Sequence, residues 1–210
     1  MTPPNPQNQP RQDSKASGES GQIVQAGLVV IGKEILNGRT PDCNTTWIAE
    51  QLGHKGIDLY EVRFVGDRRE QIAGAVQDLQ GECDYVLTTG GIGPTHDDIT
   101  TESIAYLLGR ELVTYPEAME ALEMHYGVGR LNAARMKMTK FPEGARLIPN
   151  PVSAAPGFII ENVYVMAGVP RIMHAMLDHA IKDMKTGTPI FSKTVSCVLS
   201  ESALADQLAE

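Results

Sequence analysis

Residues 84–101, DYVLTTGGIGPTHDDITT, constrain the fold more than any other stretch of the chain. They begin as a short apolar run, residues 85–87, of the length and composition of a buried strand. Gly90, Gly91 and Gly93 follow, then Pro94, which fixes its own φ and restrains the residue before it. A helix start comes next. Thr100 is the expected cap, Glu102 lies in the first turn, Ile104, Leu107 and Leu108 form an apolar stripe, and Gly109 is the stop. A strand, a glycine turn and a helix in that order present backbone N–H groups to an anion at the helix N-terminus. Asp97 and Asp98 would repel that anion unless a divalent cation, magnesium or similar, lies between them. The stretch therefore reads as a site for a phosphate-bearing ligand with metal help. It is not a P-loop, because no Lys-Ser/Thr follows the last glycine, and it is not G-x-G-x-x-G. A turn that merely capped a helix would have no use for both acids together with Thr95 and His96.

The charge balance narrows the ligand further. A net charge of −8 argues against nucleic acid or an anionic membrane surface as the main partner, so a phosphorylated small molecule must be held by local amides, a few cations or metal. Hydrophobic content of 42% with 21% charged residues is that of a soluble globular protein. Cys43, Cys83 and Cys197 are isolated and odd in number, which favours a reducing compartment over disulfides or a zinc finger. With no apolar run of 18 residues and no signal-like apolar segment at the start, the expected location is cytoplasmic, with no membrane span.

Along the chain, residues 1–22 hold Pro3, Pro4, Pro6 and Pro10 among Asn, Gln, Ser and Gly, and read as a disordered tail. Residues 23–186 read as one α/β domain. Residues 27–31 are a strand candidate ending at Gly32, and a helix lined by Trp47, Ile48 and Leu52 follows, capped by Asp42 or Asn44. Tyr60, Val62 and Phe64 alternate with charged residues as a second strand, after which Asp67 has capping-box spacing to Glu70. Residues 116–126 and 131–138 read as short helices. The second brings Arg130, Arg135, Lys137 and Lys140 together as a basic cluster, either a phosphate holder or a solvated face. Residues 158–160 and 163–166 read as a hairpin joined through Glu161-Asn162, with Asn162 the residue that tolerates positive φ, and Pro170 opens a helix with a wide apolar face. His174 and Asp178 on that helix read as structural. Residues 187–210 read as the start of a second small α+β segment, cut short.

Strands alternating with helices imply right-handed crossovers and a mostly parallel sheet with helices on both faces. In such sheets ligands bind beyond the carboxyl ends of the strands. Four loops fall there: 32–44 with Gly32, Lys33, Glu34, Arg39 and Asn44; 66–67 with Asp67; 90–100; and 168–171 with Gly168 and Pro170. Asp67 would then face Asp98 across the cleft.

The run from Thr88 to Thr100 resembles the signature of the molybdopterin-binding superfamily of MoaB and Mog proteins. Within it, the chain resembles the N-terminal domain of the competence/damage-inducible proteins. Residues 32–44, 64–67, 150–158 and 168–170 match that branch in order, and the resemblance spans about residues 25–185. It implies a three-layer α/β fold that binds a pterin or nucleotide diphosphate at the glycine loop, and a homo-oligomer. In the adenylyl-transferring relatives two acids serve metal-assisted chemistry, and they match Asp67 and Asp98. Asp97 joins them as a candidate metal ligand. For the competence branch the implied reaction is hydrolysis of the diphosphate of ADP-ribose-like dinucleotides. The ligand would be held by Gly90, Gly91, Ile92, Gly93, Pro94, Thr95, His96 and Thr100, with Gly32, Glu34, Asn44, Gly168 and Pro170. Two alternatives stand beside it: a molybdopterin adenylyltransferase, whose usual Thr is replaced here by Ile92, and a binding module without turnover.

Overall fold

A computed structural model describes residues 23–187, so the expected tail and nearly all of the expected second segment lie outside the described residues. Strand β1 (Val24–Ile31) is apolar except for Gln25, and from Ala26 onward it is buried on both faces as a central parallel strand must be. The chain returns through the single-turn α1 (Lys33–Leu36) and α2 (Asn44–His54) to β2 (Ile57–Val65). It then crosses back through α3 (Arg69–Glu82) to β3 (Tyr85–Thr89) and α4 (Thr100–Leu107). A short ribbon is built from β4 (Leu112–Thr114) and β5 (Lys140–Pro142), with α5 (Pro116–Tyr126) and α6 (Ala133–Lys137) between them. Strands β6 (Arg146–Ile148), β7 (Gly157–Ile160) and β8 (Val163–Met166) complete the sheet, and α7 (Pro170–Ala180) follows.

The sheet order is β2-β1-β3-β8-β7-β6. Pairings from β2 through β8 are parallel, and β7 runs antiparallel to both its neighbours. Side chains alternate between two cores. Ala26, Leu28 and Val30 of β1 meet Ile48 and Leu52 of α2 and Met173, Met176 and Leu177 of α7. Val29 and Ile31 meet Ile72, Val76 and Leu79 of α3 and Ile104 of α4 on the other face. The architecture is thus three layers, a sheet between two sets of helices, as expected. The methionines of α7 are core filler, and His174 is structural: its ring stacks 3.9 Å from that of Trp47 across the α2–α7 contact.

The topology fixes where a ligand can sit. β2 lies to one side of β1 and β3 to the other, so the chain reverses direction across the sheet between β1 and β3. The loops leaving these neighbouring strands lead to helices on opposite faces, which opens a crevice at their carboxyl ends. Each fully buried Ile or Leu stabilises by about 1.5–3 kcal/mol, so Ile104 in α4 and Ile48 in α2 hold both walls of that crevice in place.

Two local expectations are corrected, and three short strands are added. Asp67 does not cap α3: the helix begins after Arg68 without a side-chain cap, and Asp67 instead accepts the backbone N–H of Lys33 at 2.9 Å. The hairpin turns with Glu161 at φ 52°, while Asn162 spends its amide on Cys83 and Gln80. Strands β4, β5 and β6, three residues each, carry too little alternation to be read from the sequence.

Candidate functional site

The glycine turn is set by close approach. Gly90 and Gly91 have φ of 103° and 68°; a Cβ on Gly90 would lie 2.1 Å from the Ile31 carbonyl oxygen, and one on Gly91 would lie 2.2 Å from Thr100 Oγ1. Only glycine fits either place. Gly90 N donates to Met166 O at 3.0 Å, which seats the turn on β8. Thr100 N donates to Gly91 O and Thr100 Oγ1 to Gly90 O, each at 2.9 Å. Thr100 is fully buried, so it neither caps α4 through its side chain nor offers a hydroxyl to a ligand; it closes the turn from beneath. Among the described residues, no backbone carbonyl accepts from the amides of Gly91, Ile92 or Gly93. Those donors are free for an anion.

The acids come next. The Asp98 carboxylate lies against Gly93, and its Oδ2 accepts Thr95 N at 2.8 Å. Thr95 Oγ1 is 2.5 Å from both Asp98 Oδ2 and Asp97 Oδ1, so one hydroxyl hydrogen serves two carboxylates. The Thr95 hydroxyl and then Asp97's own backbone N–H hold the Asp97 carboxyl below the usual carboxylate range. Lys137 Nζ donates to Thr95 O at 3.1 Å and to Asp98 O, and lies 3.3 Å from Glu102 Oε1.

Above the turn lies a cavity of about 520 Å³, a size that suits a small ligand. Of the residues expected at the site, Glu34, Asn44, Gly90, Gly91, Ile92, Gly93, Pro94, Asp98, Gly168 and Pro170 line it. Ile31, Ile35, Met138 and Ile172 add apolar wall. The N-termini of α2 and α7 both open onto it, through Asp42, Cys43 and Asn44 on one side and Val169 and Pro170 on the other. Asn44 Nδ2 donates to Gly168 O at 2.8 Å, tying these two walls together. Two oxygens of cavity-lining residues, Asn44 Oδ1 and Thr89 Oγ1, are buried without a hydrogen-bond partner.

The remaining expected residues fall elsewhere. Asp67, Asp97 and His96 line a neighbouring hollow of about 500 Å³ with Lys33, Asn37 and Arg39. Thr95 lines neither hollow and acts through its bonds to Asp97 and Asp98; Gly32 also lines neither, and its amide donates to Val65 O at 3.1 Å. Among the described residues no three Asp, Glu, His or Cys side chains form a group that could hold a metal ion. Asp67, Asp97 and Asp98 therefore make no ready-made three-carboxylate cage, and Asp67 and Asp98 line different hollows.

Sequence reasoning missed Tyr126, Met138, Asn150 and Ser153 as cavity residues. Asn150 was legible only as part of a rigid Pro-flanked segment. Its side chain knots that segment by accepting from Val152 N and Ser153 N and donating to Ser153 Oγ and Ala155 O. The basic cluster is not simply a solvated face. Arg135 lies 3.9 Å over the Tyr126 ring and donates to Arg130 O, and Lys137 is spent on the glycine loop. No helix of the described residues is long and apolar enough to cross a membrane.

Residues 27–186 match a family model described as "Probable molybdopterin binding domain". A protein of Aeropyrum pernix is 36% identical over 198 residues, covering 89% of this chain and 74% of the relative. A CinA-like protein of Parasynechococcus marenigrum is 32% identical across 90% of this chain, which spans about half (48%) of that protein's length. Among solved structures, the protein CinA from Thermoplasma acidophilum, its function given as unknown, is 34% identical with a TM-score of 0.73, covering 77% of this chain and 98% of its own. The molybdopterin biosynthesis enzyme MoaB of Thermus thermophilus, at 20% identity, TM-score 0.51 and coverage of 76% of this chain and 91% of its own, shares the fold.

Proposed function

The chain belongs to the molybdopterin-binding domain family, and on that premise we propose that it binds a nucleotide or pterin diphosphate in the 520 Å³ cavity and hydrolyses the diphosphate of an ADP-ribose- or FAD-like dinucleotide. One observation carries the reading. A cavity with apolar walls has, at its base, a glycine turn whose Gly91, Ile92 and Gly93 amides lack backbone acceptors, with the Asp98 carboxylate beside them. Such a combination suits a flat ring joined to a diphosphate: the walls take the ring, and the amides take phosphate oxygens. The partnerless Asn44 Oδ1 and Thr89 Oγ1 suit a ligand that brings its own donors, as a ribose or a pterin does.

A divalent cation fits this donor set only in one way. Magnesium is usually held by one or two carboxylates plus substrate phosphates, so Asp98 with Glu34 or Asp67 would hold an ion that arrives with the ligand. When bound it would offset phosphate charge. The chain's own groups do the rest. Amides of residues 91–93 bind the oxygens on which charge grows as water attacks phosphorus and the bridging P–O bond breaks. We assign the departing water proton to His96, exposed beside Asp97 and Asp67.

Incubation with ADP-ribose, FAD, ATP and a pterin, each with several divalent ions, tests the reading by product identification. AMP with ribose 5-phosphate from ADP-ribose supports hydrolysis. An adenylylated pterin formed from ATP would replace it with adenylyl transfer. Tight binding without any product would leave a binding module.

A further inference from the structure

We propose that Lys137 is a positioning residue of the site: from outside the cavity its ammonium sets the shape of loop 93–98 and so aims the Asp98 carboxylate. The catalytic half of this inference rests on the diphosphate reading above; the structural half does not. Lys137 ends α6, a five-residue helix whose start is fixed by the Asn132 side chain accepting Arg135 N at 2.9 Å. One ammonium then gathers three oxygens. It donates to Thr95 O at 3.1 Å and to Asp98 O, and it pairs with Glu102 Oε1 at 3.3 Å. The two carbonyls bracket the acidic pair in the chain, and Glu102 stands on α4, the helix the loop leads into. Converging carbonyl dipoles repel one another, so the loop needs a cation at this point to hold its turn.

The location of the amine separates positioning from ligand contact. Lys137 does not line the 520 Å³ cavity; it lines a separate hollow of about 40 Å³ beneath the loop, with Ile92, Gly93, Asp98, Glu102 and Lys140. Glu102 Oε2 is buried there without a partner, and the hollow has room for the one water that would satisfy it. The side chains of Lys137 and Glu102 are 28% and 29% exposed, too covered for a pair that only decorates a surface. The same short helix also fixes the far wall, since Arg135 stacks on Tyr126.

The test compares the unaltered chain with Lys137→Met, Lys137→Arg and Glu102→Gln. Without ligand, hydrogen exchange of the amides of residues 92–100 should quicken about tenfold or more in Lys137→Met and less in Glu102→Gln, while β1 and α7 keep their protection. With ADP-ribose and magnesium, kcat should fall about tenfold or more, because a displacement of about 1 Å at a reacting group costs on the order of 10²-fold. KM should stay within about twofold, and Lys137→Arg should recover most of the loss. Unchanged exchange in residues 92–100 overturns the proposal, and so does a raised KM with kcat intact, which would put the amine on the ligand. If Lys137→Met loses protection everywhere, the Glu102→Gln exchange pattern decides instead: local quickening at 92–100 supports the proposal and none overturns it. Absence of product from the unaltered chain would remove the diphosphate reading alone, and the exchange measurement would still decide the loop.

Discussion

The two large hollows beside the glycine loop differ in kind. The larger has a largely apolar surface, with Ile31, Ile35, Ile92, Met138 and Ile172 in its wall, whereas the smaller neighbour is lined only by Lys33, Glu34, Asn37, Arg39, Asp67, His96 and Asp97. Glu34 alone lines both. An apolar hollow rewards burial of a ring, at about 25 cal/mol per Å². A hollow of mixed charge in contact with solvent rewards little by itself, because exposed ion pairs contribute about 0–1 kcal/mol. Affinity should therefore reside in the first hollow and charge handling at the border between them. The two acids that look like a matched pair in the sequence stand on opposite sides of this border, Asp98 in the first and Asp67 in the second.

Asp98→Asn gives the largest contrast. It keeps the shape of the site and an acceptor for Thr95 N but removes the charge, so binding of ADP-ribose should change little. Turnover should fall on the order of 10³-fold, which corresponds to about 4 kcal/mol of lost charge stabilisation. Steady-state kinetics beside calorimetry separates the two effects, and a proportionate loss of both would dissolve the division between the hollows. Gly90→Ala comes next. Its Cβ would lie 2.1 Å from the Ile31 carbonyl oxygen at φ 103°, so denaturant unfolding should show a loss of about 3 kcal/mol or more and the cavity should stop binding. A Gly90→Ala variant as stable as the original would mean that the turn is not held by β1.

The two hollows were also unequally legible in the sequence. The larger one was read well where local chemistry speaks: Gly90, Gly91 and Gly93 between a strand and a helix can hardly be anything but a turn at a strand end. Part of its wall was not, because Tyr126 and Met138 arrive from distant segments and nothing in their own neighbourhood marks them. Thr100 shows the converse failure. Its position has every sign of a cap, yet the completely buried hydroxyl is spent on Gly90 O, a partner ten residues back that only the folded turn provides. Asp67 was misread for the same reason, since its backbone partner Lys33 lies 34 residues away. The parallel half of the sheet followed from strand–helix alternation. Of the antiparallel edge, the β7–β8 hairpin was legible as well, but β6 was not, since its three residues leave no period to read.

Asp67→Asn sharpens the border with a smaller effect. An amide oxygen still accepts Lys33 N, so the fold should be unaltered, and only charge at the second hollow is lost. If the hydrolytic reading holds with Asp67 as an occasional partner of a cation carried by the ligand, turnover should fall about tenfold, about 1.4 kcal/mol, and recover partly at raised magnesium. A loss equal to that of Asp98→Asn would make the two acids one site after all.

The smallest effect lies on the border itself, at Asp97. Its carboxyl titrates below the ordinary range chiefly because the Thr95 hydroxyl bonds to it. A depressed folded value means that the associated stabilisation is fully present above the unfolded value, about 3.9 for an aspartate, and fades as the pH falls through the lowered folded value. Thr95→Val removes that hydroxyl without removing either acid. Carbon-detected NMR titration should then move Asp97 back up toward the ordinary aspartate value and bring the onset of acid destabilisation to higher pH. Because Asp97 is exposed, the melting temperature at neutral pH should barely move. If Asp97 stays depressed in Thr95→Val, its charge is held by its own backbone and by cations of the second hollow, and the border between the hollows is electrostatic rather than a hydroxyl bridge between the two carboxylates.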